Sequence, residues 1–454
     1  MEEKIHLYHI NDLHSHFEHW QRIEHFIHDR KAWHSDVGEE TIVVDIGDHA
    51  DRFHPYTEAS SGKGNVELLN QLGCQFATIG NNEGITFPYE ALNHLYDDAE
   101  FKVVLANLYD KNEQRPKWAL PYSIHTTNKG TRIAFIGATA YFRLFYESLG
   151  WNIKEPLEEI RQVVRKVKDH SDMLVLLSHL GLEYDELLAN EIPELNLIFG
   201  GHTHHILHEG KYVNDTLLCG AGKWGTYVGH VEITVDKNKK ILQSEARLYN
   251  MNEQNLVQGE KEFGAKLYKE GKEKMTQQVC QLPDKLVVDW FKETPLVELL
   301  CRTLKEWCDA DCAFLNAGLL LDELDAGPVT LYDLHRICPH PINPCVIEIK
   351  GSELKEVIIQ STDPTWPHMQ IKGFGFRGNV LGTMVYSDIT MNSHHEIWIG
   401  NDKLDTKRTY RLAIPDMFTF GFFFPAIKRS EKKAYYLPEF LRDLLAYELK
   451  RIYP

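Results

Sequence analysis

Short, dense apolar runs separated by longer amphipathic stretches dominate the first half of the chain. The runs are Ile5–Ile10, Thr41–Ile46, Phe76–Ile79, Lys102–Ala106, Thr131–Ile136, Asp172–Leu177 and Leu195–Phe199. They are rich in Val, Ile and Leu and end at Gly, Asn, Asp or His, the pattern of strands buried on both faces and joined by helices. Between them, Pro156–His170 repeats its apolar residues at helical spacing, with Leu157, Ile160, Val163, Val164 and Val167 on one face. Thr216–Val235 is strand-like again, with Gly220, Gly222 and Gly225 as turns or bulges. An α/β layered domain is predicted.

The pattern then shifts. Glu253–Gln278 is dense in Lys, Glu and Gln and predicts a solvated linker helix, punctuated by Leu282-Pro283-Asp284. Thr294 and Pro295 predict the N-cap and first turn of a helix through Trp307, with Leu296, Leu299, Leu300 and Leu304 as its apolar stripe. Strands are expected at Cys345–Ile349, Glu396–Ile399 and Tyr410–Ile414, and helices at Ser352–Gln360 and Pro438–Glu448. The expected division is a first domain over 1–252, a connecting segment over 253–284 and a second domain over 285–454.

Composition narrows the function classes. A length of 454 residues suits two or three domains, and 43% hydrophobic with 25% charged residues excludes a disordered or collagen-like chain. No apolar run reaches the roughly 18 residues of a membrane span, so no membrane partner is expected. A net charge of −17 argues against a nucleic acid polymer as partner. A phosphorylated small molecule would need a metal or a few placed Lys and Arg. The 8 cysteines are scattered without a CxxC pair, which reads as buried reduced thiols. With no secretory pattern after Met1, a cytoplasmic location is expected.

The informative polar residues stand just past the apolar runs. Asn11-Asp12-Leu13-His14 follows the first, Gly47-Asp48 the second and Gly80-Asn81-Asn82-Glu83 the third; Ser178-His179 and Gly200-Gly201-His202-Thr203-His204 follow two later ones. In an open α/β sheet, ligands bind beyond the carboxyl ends of the strands. Each motif alone is a common turn, but the ordered series delivers two Asp, one Asn and four His to one rim. Neutral imidazoles and carboxylates suit divalent Mn, Zn, Fe, Co or Ni. Seven ligands are too many for one ion and suit two ions sharing a carboxylate. Such a pair clamps a phosphoryl group and lowers the pKa of a water that attacks phosphorus in line with the leaving oxygen.

This ordered set resembles the calcineurin-like metallophosphoesterases: D-x-H, G-D, G-N-H-E, H, then G-H-x-H. Over the whole chain it is similar to the bacterial 5′-nucleotidase / 2′,3′-cyclic phosphodiesterase family. The resemblance implies a four-layer α/β/β/α metal domain followed by a mixed α+β C-terminal domain for substrate recognition. It implies that Asp12, His14 and His204 hold one divalent ion, that Asn81, His179 and His202 hold another, and that Asp48 bridges both. The activity it implies is metal-dependent hydrolysis of phosphoric esters, with a nucleotide or related small phosphomonoester or phosphodiester as substrate.

Several positions depart from the family pattern. G-N-H-E-F-D reads here Gly80-Asn81-Asn82-Glu83-Gly84-Ile85. The family His that stabilises the transition state is Asn82, and the Asp that orients it is Ile85. Asn82 can donate a hydrogen bond to phosphate but cannot supply a proton near pH 7. Asp48 and Asn82 are the catalytic candidates, and the lost dyad leaves three consequences open: slow turnover, a preference for cyclic diesters and good leaving groups, or a substitute group. His49 and His54 follow the bridging Asp and read as polar loop residues. In the second domain, Asn316 and Gly318 keep an Asn-x-Gly segment, but Leu320 or Leu321 stands where the family has Arg. Pro339–Asn343 matches a Pro-Phe-x-Asn turn, and Lys372–Gly378 resembles the loop that carries a stacking aromatic and an Arg, here Phe376 and Arg377. Met417–Phe424 stands where a second aromatic is expected, with Phe418 the candidate. The lost dyad and Arg leave a second reading open: a nucleotide- or phosphate-binding protein with little or no turnover.

Overall fold

The computed structural model describes residues 2–421 and 423–454. They form two compact units, Met1–Gly271 and Lys272–Pro454. The first is built on two sheets. One has seven strands, in the order Ile241–Asn250, Tyr227–Val235, Glu3–Ile10, Glu40–Asp45, Phe76–Ala77, Lys102–Val104 and Ala119–Leu120. The other has six: Lys211–Val213, Thr216–Cys219, Leu197–Gly200, Met173–His179, Arg132–Thr139 and Tyr122–Thr126. From Glu3–Ile10 through Ala119–Leu120 neighbouring strands run parallel. So do Arg132–Thr139, Met173–His179, Leu197–Gly200 and Thr216–Cys219.

The sheets pack face to face. Ile5, Leu7, Ile42, Val44 and Phe76 from one share a core with Ile133, Phe135, Val175, Leu177 and Phe199 from the other. The Phe76 and Phe135 rings stack across it at 4.2 Å. The alternate residues Ala134, Ile136, Leu174, Leu176 and Ile198 face outward onto Ile160, Val163, Val164 and Val167 of the helix Pro156–Val167. Both faces of the central strands are thus buried, which is why those strands read as unbroken apolar runs. Helix Trp20–Asp36 covers the outer face of the seven-stranded sheet through Trp20, Ile23, Phe26 and Ile27. The layers are α/β/β/α.

The segment expected as a solvated linker contains the helix Glu260–Lys274. Its start is anchored in the first unit: Arg22 donates to Glu260 at 2.9 Å. The two units meet in sequence inside this helix.

The second unit holds a five-stranded mixed sheet, Met384–Ser387, Cys312–Asn316, Thr409–Pro415, Pro344–Lys350 and Lys433–Tyr435. Helix Pro295–Trp307 buries the predicted stripe of Leu296, Leu299, Leu300 and Leu304. Thr294 occupies its N-cap, but the hydroxyl makes no capping bond. Helix Leu441–Ile452 begins three residues later than expected. Among the described residues no helix is long and apolar enough to cross a membrane.

Candidate metal centre

The ends of separate strands bring the predicted residues together. Asp12 and His14 follow Glu3–Ile10, Asp48 follows Glu40–Asp45, Asn81 and Asn82 open the helix Asn81–Thr86, His179 ends Met173–His179, and His202 and His204 follow Leu197–Gly200. Asp12, His14, Asp48, His202 and His204 all have φ between 50° and 70°. Non-glycine residues adopt this left-handed conformation at a cost and cluster in functional loops. Glycine is required beside them. A Cβ on Gly47 would meet the Gly80 nitrogen at 2.2 Å, and one on Gly80 would meet Asp48 Oδ1 at 2.0 Å.

The imidazoles converge on two carboxylate oxygens. Asp12 Oδ1 lies 3.4 Å from His204 Nε2, 3.7 Å from His14 Nε2 and 3.9 Å from His179 Nε2. Asp48 Oδ2 lies 3.4 Å from His179 Nε2 and 3.7 Å from His14 Nε2. His14 Nε2 and His204 Nε2 are 3.3 Å apart, and His202 Nδ1 is 2.7 Å from Asn81 Oδ1. Asp12, Asp48 and His179 form a buried floor, while His14, Asn81, His202 and His204 stay partly open to solvent. Both Asp12 and Asp48 touch histidines of the two expected ligand groups, a sharing that sequence alone assigned to Asp48.

These donors fit divalent ions. His179 Nδ1 donates to the Ile46 carbonyl at 2.8 Å, which fixes the ring and aims Nε2 at the two carboxylates. That Nε2 is buried and makes no well-formed hydrogen bond. Burial opposes charge on His179, but Asp48 and Asp12 outweigh it and raise the ring to about 10. Burial likewise opposes ionisation of Asp48 and Asp12, and His179 outweighs it, holding both below the usual carboxylate range. A proton here does the work a cation would do, and metal binding would release it.

Three supporting residues have no role in the sequence reading. Glu83 accepts N–H bonds from Asp48 at 2.9 Å, Ala50 at 2.8 Å and Gly80 at 2.8 Å, stitching two ligand loops together. Burial and the nearby Asp48 push its carboxyl up to about 7. Asp51 Oδ2 lies 3.3 Å from His14 Nδ1, and Asn11 donates to Asp12 Oδ2 at 2.8 Å. The Glu stood in the quoted motif, and the Asp lies three positions past Asp48; their roles depend on loop geometry that no spacing rule supplies. Asn82 donates to Asp48 Oδ2 at 2.7 Å and lies 3.1 Å from His14 Nδ1. His49 faces Asn65 from a buried position, and His54 caps the helix Pro55–Ser60 by accepting from the Tyr56 nitrogen at 3.2 Å.

The second-unit candidates are placed differently. Phe418 is fully buried, with its ring 5.5 Å from Phe314, 5.6 Å from Phe423 and 5.3 Å from Phe424. The expectation that it stacks on a ligand is therefore corrected: the ring belongs to the core. Phe422 lies outside the described residues. Phe376 is 4% exposed and stacks on His340 at 5.0 Å, so the ring exposed on that loop is Phe374, at 38%. Arg377 is half-buried, and its backbone nitrogen donates to His340 Nδ1 at 2.9 Å. Asn316 is buried and donates to the Leu381 carbonyl at 2.7 Å, while Gly318 sits where a Cβ would meet the Val380 carbonyl at 2.1 Å. Both shape backbone rather than face solvent.

A layered α/β sandwich with Asp, Asn and His gathered at one rim defines a metal-dependent hydrolase. Comparison with known proteins agrees. Residues 5–205 match the family described as calcineurin-like phosphoesterase, and residues 279–426 match the 5′-nucleotidase C-terminal domain. The uncharacterized metallophosphoesterase YunD of Bacillus subtilis is 46% identical over 99% of this chain and 100% of its own length. A 5′-nucleotidase of Vibrio parahaemolyticus is 23% identical over 91% of this chain and 83% of its own. Among solved structures, a putative 5′-nucleotidase from Staphylococcus aureus superposes with a TM-score of 0.69 at 17% identity, covering 98% of this chain and 96% of that one. The chain belongs to the calcineurin-like metallophosphoesterases and is a metal-dependent phosphoric ester hydrolase.

Proposed function

We propose that the chain hydrolyses nucleotides or closely related phosphorylated small molecules at a dinuclear metal centre, favouring diesters and esters with good leaving groups. The observation that carries this reading is the convergence of His14, His179 and His204 on Asp12 Oδ1 and Asp48 Oδ2. In this reading, Asp12, His14 and His204 would hold one ion and Asn81, His179 and His202 the other, with Asp48 shared. Such ions, Mn, Zn, Fe, Co or Ni, would supply Lewis acidity and a lowered pKa for the attacking water.

The chain's own residues set the geometry. The Ile46 carbonyl aims His179, Glu83 fixes the Asp48 and Gly80 backbones, and Asn11 holds Asp12. Asn82 stands where the family has a protonatable His. Its amide is engaged by Asp48 and offers the departing oxygen no proton. A poor alkoxide leaving group therefore departs slowly, and an aryl or ring-strained leaving group less so. In the second unit, Arg377 and the exposed Phe374 are proposed to read the phosphate and base. Asn316 and Gly318 shape the neighbouring backbone. Eight free, buried cysteines support a reducing, cytoplasmic setting.

Chelator-stripped, metal-restored and Asp48→Asn protein would be compared on nucleoside monophosphates, 2′,3′-cyclic nucleotides and an activated aryl phosphodiester. Metal-restored protein should hydrolyse the aryl and cyclic diesters faster than the monophosphates. If it hydrolyses no nucleotide faster than Asp48→Asn, the nucleotide proposal fails. Nucleotide binding by calorimetry without product would then favour the binding reading, which the engagement of Asn82 with its own ligand set also supports.

A further inference from the structure

His340, in the second unit, is a fully buried imidazole where three loops meet. Pro339 and Pro341 flank it, so the backbone on both sides is stiff and His340 itself is pushed into an extended conformation. Arg442, from the helix Leu441–Ile452, donates to its carbonyl at 3.4 Å and fixes the segment from below. The Arg377 backbone N–H donates to His340 Nδ1 at 2.9 Å, and Nε2 lies 3.0 Å from the Leu319 carbonyl. Nδ1 accepts, so the ring proton sits on Nε2, and one neutral tautomer makes both bonds. The imidazole also stacks on the Phe376 ring at 5.0 Å and 11°. One side chain thus ties the short turn Ala317–Leu319 to the loop that carries Arg377.

That loop needs anchors. Gly373, Phe374 and Gly375 all have positive φ, and glycine leaves such a backbone many alternatives. Two holds are visible. Phe374 lies against Gly421, where a Cβ would meet its ring at 2.9 Å. The other hold is at Arg377, where the loop presses onto the segments that His340 joins: a Cβ on Gly375 would meet the Pro341 carbonyl at 2.8 Å, and one on Gly378 the Gly318 carbonyl at 2.9 Å. The Arg377 guanidinium follows the backbone there, since its Nη1 donates to the Phe376 carbonyl at 3.3 Å. Burial, with the nearby Arg377 and Arg442 cations, holds the imidazole down at about 3, so the Nδ1 lone pair stays available to the Arg377 N–H.

We propose that His340 is the positioning residue for Arg377, setting the direction from which that guanidinium meets a nucleotide; this rests on the reading above in which Arg377 recognises the phosphate. The role follows from the two bonds rather than from the ring. A phenyl group would fill the same space and keep the stacking, but would leave the Arg377 N–H and the Leu319 carbonyl without these partners. A glutamine loses the ring but can make both bonds, its amide N–H to Leu319 and its amide oxygen to Arg377. The two replacements therefore separate positioning from packing.

The test measures binding of adenosine monophosphate to full-length, metal-restored protein by calorimetry, and the rate of trypsin cleavage after Lys372 and Arg377. His340→Phe should raise the Kd about 10-fold, as expected for a misplaced charge-assisted contact, and should speed cleavage in the loop. His340→Gln should stay within about 2-fold of wild type in Kd and keep the slow cleavage. Arg377→Ala should also raise the Kd about 10-fold, and adding His340→Phe to it should cost less than about 2-fold more, because the imidazole acts through Arg377. Fully additive losses overturn the proposal, as does wild-type affinity in His340→Phe or a wild type that does not bind the nucleotide. If His340→Phe fails to fold, hydrogen exchange of the wild-type Arg377 amide decides: exchange as fast as in an open loop rejects the anchor, and protection supports it. None of these readings needs turnover. A chain that hydrolyses no nucleotide faster than Asp48→Asn fails the proposed function, whereas a nucleotide affinity indifferent to His340 and Arg377 fails this inference.

Discussion

The two units of the chain place similar sequence signals in opposite environments. In the first, the Asp, Asn and His residues singled out past five predicted strands gather at one rim, and the supporting carboxylates Glu83 and Asp51 join it. In the second, the residues singled out for recognition are mostly interior: Phe418, Phe376, Asn316 and Gly318 are buried, and of them Arg377 alone offers surface, beside Phe374, which the sequence reading did not single out. Metal ligation tolerates few residue types, so an Asp or His at a strand end is informative. A phenylalanine serves a core as readily as a ligand, so an aromatic run says little about which it does.

The largest effect tests the first half of that contrast. Asp48→Asn keeps the shape but removes the charge that His14, His179 and the Asn82 amide share. Hydrolysis of an aryl phosphodiester at saturating metal should fall by about 10³-fold or more, in line with the several kcal/mol of charge stabilisation such centres supply. A loss below tenfold would mean that Asp48 is not shared between ions, and Asp12, which also touches both histidine groups, would be its replacement.

Next comes the core of the second unit. Phe418→Ala empties a position enclosed by Phe314, Phe423 and Phe424, and should cost about 3–5 kcal/mol of stability in denaturant unfolding. The KM of the folded fraction should not change. A raised KM with unchanged stability would return Phe418 to the ligand and collapse the distinction between the units.

Much of the first unit is legible in sequence because burial on both faces writes itself as continuous Val, Ile and Leu. The strands, the helix Pro156–Val167 and the positions of all seven proposed ligands follow from that pattern. Helix Trp20–Asp36 does not: His, Arg, Glu and Asp interrupt its apolar face, since part of what it buries is His34 rather than an aliphatic side chain. The same interruption conceals the packing of His34 against His6 and His230, residues far apart in sequence that share no spacing motif. In the second unit, strands and helices are found, but orientation is not, because exposure of Phe374 and burial of Phe376 differ only by a turn through Gly375.

A pH experiment sharpens the picture of a closed interior beside Phe418. Asp416 is buried in the same short turn, and burial pushes its carboxyl up to about 8, against the N–H groups of Asn343 and Met417 that favour its charge. The folded state therefore holds the proton more tightly than the unfolded state. This contribution to stability is fully present below the ordinary carboxylate range and is lost as pH rises toward 8, at up to about 1.4 kcal/mol per pH unit. Asp416→Asn stays neutral throughout. Its unfolding free energy should decline less than that of the wild type between pH 5 and 8; parallel profiles would mean that this turn is open to water.

The smallest effect discriminates most finely. Phe374 and Phe376 stand two residues apart on one glycine-flanked loop, yet the first is 38% exposed and the second stacks on His340 at 5.0 Å. Stacking a base on an aromatic ring is worth about 1–3 kcal/mol, so Phe374→Ala should raise the KM for a nucleotide roughly tenfold and leave that for a base-free phosphodiester alone. Phe376→Ala should instead lower the melting temperature, since it removes the ring packed on His340. If Phe376→Ala changes nucleotide KM while Phe374→Ala does not, the loop must turn over when substrate binds. The interior placement of the recognition residues would then describe only the resting state.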